Sequence, residues 1–332
     1  IRKILFPVVP IYYSVTWFRN KLFNVGLKKS TTYNFPVICV GNLSTGGTGK
    51  TPMIEYLIRL LKDDYRLATL SRGYKRKSKG FQIGNENTSV EVLGDEPFQL
   101  YTKFKDDILV AVDADRNNGI SILKKLEAAP EVVLLDDAFQ HRKVKAGFNI
   151  VLTTYSNLYT DDIVLPTGNL REPRVGTKRA HAIIVTKCPF NISENDKKGI
   201  LAKINPAKNQ TVFFSSIKYA DAVENEISSL RLDDLSKFTL ITGIANPKPL
   251  VNFLDEKKLT FEHLNFSDHY EFSKQDIQSF EKQDLLITTE KDFMRLKQFE
   301  SLKSKLFYLP IKVLIDNDSK FNTIISDFIK SF

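Results

Sequence analysis

The stretch Ser44-Thr45-Gly46-Gly47-Thr48-Gly49-Lys50-Thr51 constrains this chain more than any other, because of what lies on either side of it. An apolar run, Pro36 to Val40, leads in, and a helical pattern with Ile54, Leu57, Ile58 and Leu61 on one face leads out. Strand, Gly-rich turn and helix in that order form a phosphate-binding loop. The glycines let successive N–H groups turn inward, the lysine reaches the β/γ-phosphates, and the hydroxyl of Thr51 is placed to ligate Mg²⁺. The helix N-terminus adds its positive end. Ser44 stands where the general pattern opens with glycine.

Alternating strand and helix signals continue through the N-terminal half: strands at 35–40, 66–70, 107–112, 131–136 and 148–153, and a helix at 117–128. That alternation predicts a parallel sheet covered by helices. Turn residues and charges gather at 155–174 without a clear period, which predicts a domain junction. Beyond it, strands at 182–185, 212–215, 240–242, 285–288 and 307–313 alternate with helical segments such as 249–257. The expected class is α/β: a P-loop NTPase-type parallel sheet core with a second, smaller α/β domain. The expected divisions are an N-terminal segment 1–30, a core domain 31–155 and a second domain 156–332.

Length and charge narrow the partners. The 332 residues suffice for about two domains. The net charge of +9 favours an anionic partner, whether nucleotide, phospholipid surface or nucleic acid. Cys39 and Cys188 fall in or beside apolar strands and read as small hydrophobes of a reduced compartment, with the cytosol as default. Ile4 to Phe18 is apolar and aromatic, with Arg2, Lys3, Arg19, Lys21, Lys28 and Lys29 around it. A spanning helix needs about 20 apolar residues, and this run is shorter and contains Pro7 and Pro10. No small-residue cleavage pattern follows it, which argues against a secretory signal. Two readings stay open: a segment lying in the membrane interface, or a helix packed on the protein's own core.

Further acids frame the chemistry. The apolar strand Val132-Val133-Leu134-Leu135 ends at Asp136-Asp137, where a carboxylate can hold a nucleotide's Mg²⁺ at the sheet edge. Gly94-Asp95-Glu96-Pro97 places two acids at a turn. Spacing alone favours Asp95 as a helix cap, and a kinase's acceptor-side carboxylate is the other reading.

Taken in order, several clusters carry a resemblance. They are Val40-Gly41-Asn42-Leu43-Ser44 leading into the loop, Ser71-Arg72-Gly73-Tyr74, Gly94-Asp95-Glu96-Pro97, and Asp136-Asp137-Ala138-Phe139-Gln140-His141. Downstream come Pro166-Thr167-Gly168-Asn169-Leu170-Arg171-Glu172-Pro173, Thr186-Lys187, Ser267-Asp268-His269-Tyr270 and Thr288-Thr289-Glu290-Lys291-Asp292. Together they resemble the tetraacyldisaccharide 4′-kinases over nearly the whole chain. Ala138, where that family often has glycine, is one departure.

The resemblance implies ATP- and Mg²⁺-dependent transfer of the γ-phosphoryl to the 4′-hydroxyl of a tetraacylated glucosamine disaccharide 1-phosphate, giving lipid IVA in lipid A biosynthesis. It makes Asp95 the acceptor-side carboxylate, His269 steadied by Asp268 its partner, and Lys50 the phosphate-side catalyst. Thr51, Asp136, Asp137, Glu96 and Gln140 form the candidate metal set. Asn42, Arg72 and Arg171 are the candidate substrate contacts; for the two arginines, bridges to acids such as Glu172 are an equal reading. His141 has no firm role, and Thr289, Glu290 and Lys291 are expected at the domain interface. A four-chain glycolipid leaves a bilayer only at great cost, about 0.8 kcal/mol per buried CH₂. A monomer at the cytoplasmic face of the inner membrane, with no nucleic-acid partner, is therefore expected.

Two other readings compete. One is a membrane-associated ATPase switch of the partition or cell-division type, against which stands Thr45 where those switches carry lysine. The other is a soluble small-metabolite kinase or ligase.

Overall fold

The computed structural model describes residues 2–268 and 270–332. A 3-10 turn at Arg2–Val8 leads into α1 (Val9–Asn24), and the alternation read from sequence follows. The strands are β1 (Val37–Asn42), β2 (Leu67–Ser71), the short β3 (Gln82–Ile83), β4 (Ile108–Val112), β5 (Val132–Asp136), β6 (Phe148–Thr154), β7 (Ala182–Thr186) and β8 (Thr211–Tyr219). Between them run α2 (Lys50–Leu61), α3 (Val90–Leu93), α4 (Asp95–Phe104), α5 (Arg116–Leu123) and α6 (Glu194–Ile204).

After Tyr219 the chain leaves this sheet. It builds β9 (Ala222–Glu224), β10 (Ser229–Arg231), β11 (Phe238–Thr242), β12 (Phe261–Asn265), β13 (Leu286–Thr288) and β14 (Leu306–Tyr308), with α7 (Lys248–Glu256), α8 (Lys274–Phe280) and α9 (Glu290–Leu296) among them. It then returns as β15 (Ile311–Ile315), antiparallel to β8, and ends in α10 (Asp318–Lys330). The first sheet runs β15-β8-β7-β6-β1-β5-β2-β4-β3, and the second runs β10-β9-β14-β13-β11-β12.

From β8 across to β4 every neighbour is parallel. Their C-terminal ends therefore share one edge, where open α/β sheets place ligands. The central strands are apolar on both faces because both are covered. Val40 and Ile38 point into one core with Ile54, Leu57, Ile58 and Leu61 of α2, and Val37 and Cys39 into the other.

The structure differs from the sequence expectations in three places. The expected strand at 307–313 is two strands in two sheets, because Pro310 between them has no N–H to continue a ladder. The sheet does not break near 155: β7, β8 and β15 extend it, and the six-stranded unit occupies only the stretch between β8 and β15. The turn-rich stretch taken as a junction instead folds back on the phosphate loop, where Thr45 N donates to Asn169 O at 2.8 Å and Arg171 N to Leu43 O at 2.7 Å. The helix expected over 117–128 ends at Leu123.

Candidate active site

β1 delivers the loop to the C-terminal edge, and two glycines turn it. Gly46 and Gly49 hold φ of 107° and 89°, left-handed values that side chains rarely adopt, and Gly49 caps α2. Neighbouring elements tie the loop down. Asn42 Nδ2 donates to Thr48 Oγ1 at 2.8 Å, Thr186 Oγ1 to Thr48 O at 2.8 Å, and Lys187 Nζ to Gly47 O at 2.8 Å. Ser44, the departure from the general pattern, pairs with Leu170 in an antiparallel bridge. Lys50 and Thr51 open α2.

Arg171 joins this loop to the acids at the end of β5. Its Nη1 and Nη2 donate to Asp137 Oδ2 and Oδ1 at 3.0 and 2.7 Å, and Nη2 also donates to Asn42 Oδ1. Lys50 Nζ lies 3.8 Å from Asp137 Oδ1. Burial pushes the Asp137 carboxyl up, but hydrogen bonds from Arg171 and the charge of Lys50 outweigh it and hold the group below its ordinary value. The neighbouring Glu172 is buried and accepts from Asn20 Nδ2 at 2.6 Å, Arg179 Nη2 at 2.7 Å and Gln140 Nε2 at 3.0 Å.

Asp136 is different. It is 3% exposed, and its Oδ1 is buried with no hydrogen-bond partner. Burial first, then the nearby Glu96, pushes its carboxyl up to about 7 against the opposing charge of Lys50. A buried, uncompensated carboxylate oxygen beside the first turn of α2 fits a cation. The rest of the candidate metal set divides. Both Asp137 oxygens accept from Arg171, whereas Gln140, whose Nε2 donates to Asn42 O at 2.9 Å and to Glu172, keeps a buried Oε1 without a hydrogen-bond partner. Among the described residues no group of three or more His, Cys, Asp or Glu side chains is gathered for a metal. Mg²⁺ is commonly held by one or two carboxylates and completed by phosphate oxygens and water.

Gly94 is the N-cap of α4, so Asp95 and Glu96 lie in its first turn, where acids are favoured by the helix dipole. Asp95 Oδ2 accepts from Arg295 Nη2 of α9. Asp268 Oδ1 accepts from Lys291 Nζ at 3.3 Å. His269 lies outside the described residues. Arg72 is exposed at the end of β2, close enough to Arg116 to depress its basicity. His141 Nε2 stands 3.8 Å from Asp115 Oδ1.

Arg116 stands in none of the motifs that the sequence offers. It is 3% exposed in the first turn of α5, and burial lowers its basicity while Asp137 and Asp136 support its charge. Asp113-Ala114-Asp115 ahead of it was the available signal, an acid-rich exit from β4 onto the same edge. Lys187, Glu172 and Arg295 also carry contacts that no spacing rule assigns.

The chain matches the family model described as tetraacyldisaccharide-1-P 4′-kinase, LpxK, over residues 1–330. It is 51% identical to the tetraacyldisaccharide 4′-kinase of Flavobacterium johnsoniae, with 99% of this chain and 98% of that protein covered. With the protein of that name from Phocaeicola vulgatus it shares 44% identity over 99% of this chain and 96% of that one. Among solved structures it is similar to "apo" form LpxK from Aquifex aeolicus in complex with ATP, at TM-score 0.80 and 32% identity, with 99% of each chain covered. A glycine-rich loop between β1 and α2, a buried acid at the end of β5 and matches of this extent agree: the chain belongs to the tetraacyldisaccharide-1-P 4′-kinase family.

Proposed function

We propose that this chain transfers the γ-phosphoryl of ATP to the 4′-hydroxyl of tetraacyldisaccharide 1-phosphate, forming lipid IVA. The observation that carries this is the meeting, at one sheet edge, of the glycine loop, Lys50 and the unpartnered Oδ1 of Asp136. The loop's N–H groups and Lys50 bind and orient the phosphates. Asp136 and Thr51 would hold Mg²⁺, with Glu96 beside them; Asp137 instead keeps Arg171 and Lys50 in place. Held there, Mg²⁺ would supply positive charge to offset the negative charge that develops in transfer. Asp95 accepts the hydroxyl proton as the new O–P bond forms and the bond to the departing ADP oxygen breaks. The resemblance gives His269, with Asp268, as its partner. Arg72, Arg171 and Asn42 remain proposed contacts for the sugar and its phosphates.

The acceptor's chains argue for work at the membrane face. Among the described residues no helix is long and apolar enough to cross a membrane. Ile4, Phe6, Ile11, Val15 and Phe18 are 79%, 60%, 64%, 62% and 58% exposed, which supports an interfacial N-terminal segment. One chain contributes both the phosphate and acceptor halves, in keeping with a monomer. A partition-type switch is not favoured, given membership of a kinase family over nearly the full length and Thr45 in the loop.

The deciding assay supplies micellar tetraacyldisaccharide 1-phosphate, ATP and Mg²⁺, and reads the lipid by mass for a gain of one phosphate. Asp95→Ala should lose turnover while nucleotide binding survives, and Lys50→Ala should weaken nucleotide use itself. No phosphorylated lipid from the intact chain would sink the proposal.

A further inference from the structure

Helices α4 and α9 follow different sheets and meet along a polar seam. On α4, Asp95, Gln99 and Lys103 recur every four residues and so share one face. On α9, Glu290 and Arg295 answer them. Arg295 Nη2 donates to Asp95 Oδ2, Gln99 Nε2 to Glu290 Oε2 at 3.0 Å, and Lys103 Nζ to Glu290 Oε1 and Oε2 at 2.9 and 3.0 Å. The seam runs on to the phosphate-loop helix. Lys103 Nζ lies 2.7 Å from Glu55 Oε2, and Gln99 Nε2 donates to Glu55 Oε1 at 3.2 Å, five residues along α2 from Lys50. Arg295 is itself anchored, with Nη1 3.5 Å from Oδ1 of the fully buried Asp292. The other Asp292 oxygen accepts from Gly243 N at 2.9 Å and Thr289 Oγ1 at 2.8 Å.

We infer that Arg295 is a positioning residue for the Asp95 carboxylate, supplied across the seam from the second sheet's layer. Gln99, Lys103, Glu290 and Glu55 keep α4 in register with α2. This rests on the reading of Asp95 as the acceptor-side carboxylate. The Asp95 carboxylate is held from the facing helix by a planar guanidinium that Asp292 fixes in turn. Phosphoryl transfer depends on placement more than on covalent chemistry, and a carboxylate misplaced by about 1 Å can cost on the order of a hundredfold in rate.

The test is a mutant cycle on the lipid acceptor, run with enzyme in excess so that slow turnover is read. Arg295→Met is expected to lower kcat about a hundredfold with KM for ATP within about twofold, and Arg295→Lys to recover about tenfold of it. In an Asp95→Asn background, Arg295→Met should cost no more than about twofold, because its target is gone. Wild-type kcat in Arg295→Met, or an equal loss in both backgrounds, would overturn the inference. A loss that follows the melting temperature and that lysine does not relieve would also overturn it, leaving Arg295 a structural role alone. Wild-type turnover in Asp95→Asn by itself would sink the reading of Asp95 instead.

Discussion

Arg171, whose sequence motif leaves both a substrate contact and a bridge to an acid open, has an acid partner in Asp137. Both terminal nitrogens are engaged with Asp137, and one also reaches Asn42, so it binds the end of β5 to the end of β1. A lysine cannot reproduce two parallel donors. Arg171→Lys is therefore expected to lower kcat/KM for ATP by roughly 10- to 100-fold by releasing Asp137 beside Lys50. Steady-state kinetics check this, and unchanged values would confine Arg171 to the surface of the site. Gly41 shows a second constraint at the same edge. A Cβ there would lie 2.6 Å from Phe139 Cβ and 3.2 Å from Phe139 N. Gly41→Ala must push back the loop that follows Asp136 and Asp137, and a cost of about 1–3 kcal/mol is expected in chemical unfolding. An unaltered midpoint would count against that close approach. The place of Asp136 at the end of β5 was legible in sequence because an apolar run ending in acid is a local pattern. Arg116 and the grip of Arg171 were not, because their partners lie on other strands and no spacing encodes them.

At the scale of elements, the phosphate loop and its flanking strand and helix were legible almost to the residue, since period, glycines and capping agree locally. The 307–313 run was misread as one strand because its apolar residues do not say which sheet they serve, and only Pro310 marks the change. The seam between α4 and α9 was half legible: Glu290 was expected at an interface, but its partners were unknown. Around Glu290 stand Glu55 of α2, itself paired with Arg59, Gln99 and Lys103 of α4 and the Tyr308 hydroxyl group of β14. Burial first, then the Glu55 carboxylate, pushes Glu290 up from 4.5 to about 7, against the pull of Lys103. A carboxyl whose folded pKa is raised favours the fold while protonated. Its contribution is complete below the ordinary carboxylate range and is lost as pH rises through about 7. Glu290→Gln cannot lose a proton, so it should flatten the fall in stability between about pH 5 and pH 8. Urea midpoints taken across that range for both proteins check it; parallel curves would place the proton elsewhere.

Across the whole molecule, α1 joins two surfaces that the sequence could not relate. Its inward side is bound into the site's surroundings: Tyr12 OH donates to Arg171 O at 3.0 Å, Asn20 Nδ2 to Glu172 at 2.6 Å, and Arg142 Nη2 to Asn24 Oδ1 at 2.8 Å. Its outward side presents Ile11, Val15 and Phe18, spaced i, i+4, i+7, to solvent. Of the two sequence readings of this segment, packing on the core accounts for Val9 and Tyr12 and leaves these others uncovered. The proposed interfacial role would account for both sides at once, because a helix pinned beside Arg171 and Glu172 would hold the phosphate loop near a lipid surface. Burying each large side chain in lipid contributes roughly 1.5–3 kcal/mol. Replacing Ile11, Val15 and Phe18 together by serine should then lower partition onto anionic vesicles at least tenfold, with melting temperature nearly unchanged because the three are exposed. The net charge of +9 adds an electrostatic part, so the residual binding of the triple variant should weaken further as salt is raised. Kinase activity on acceptor embedded in those vesicles should fall in step with binding, while activity on detergent-dispersed acceptor holds. Co-sedimentation equal to the parent protein's would remove the lipid surface as the partner of this helix.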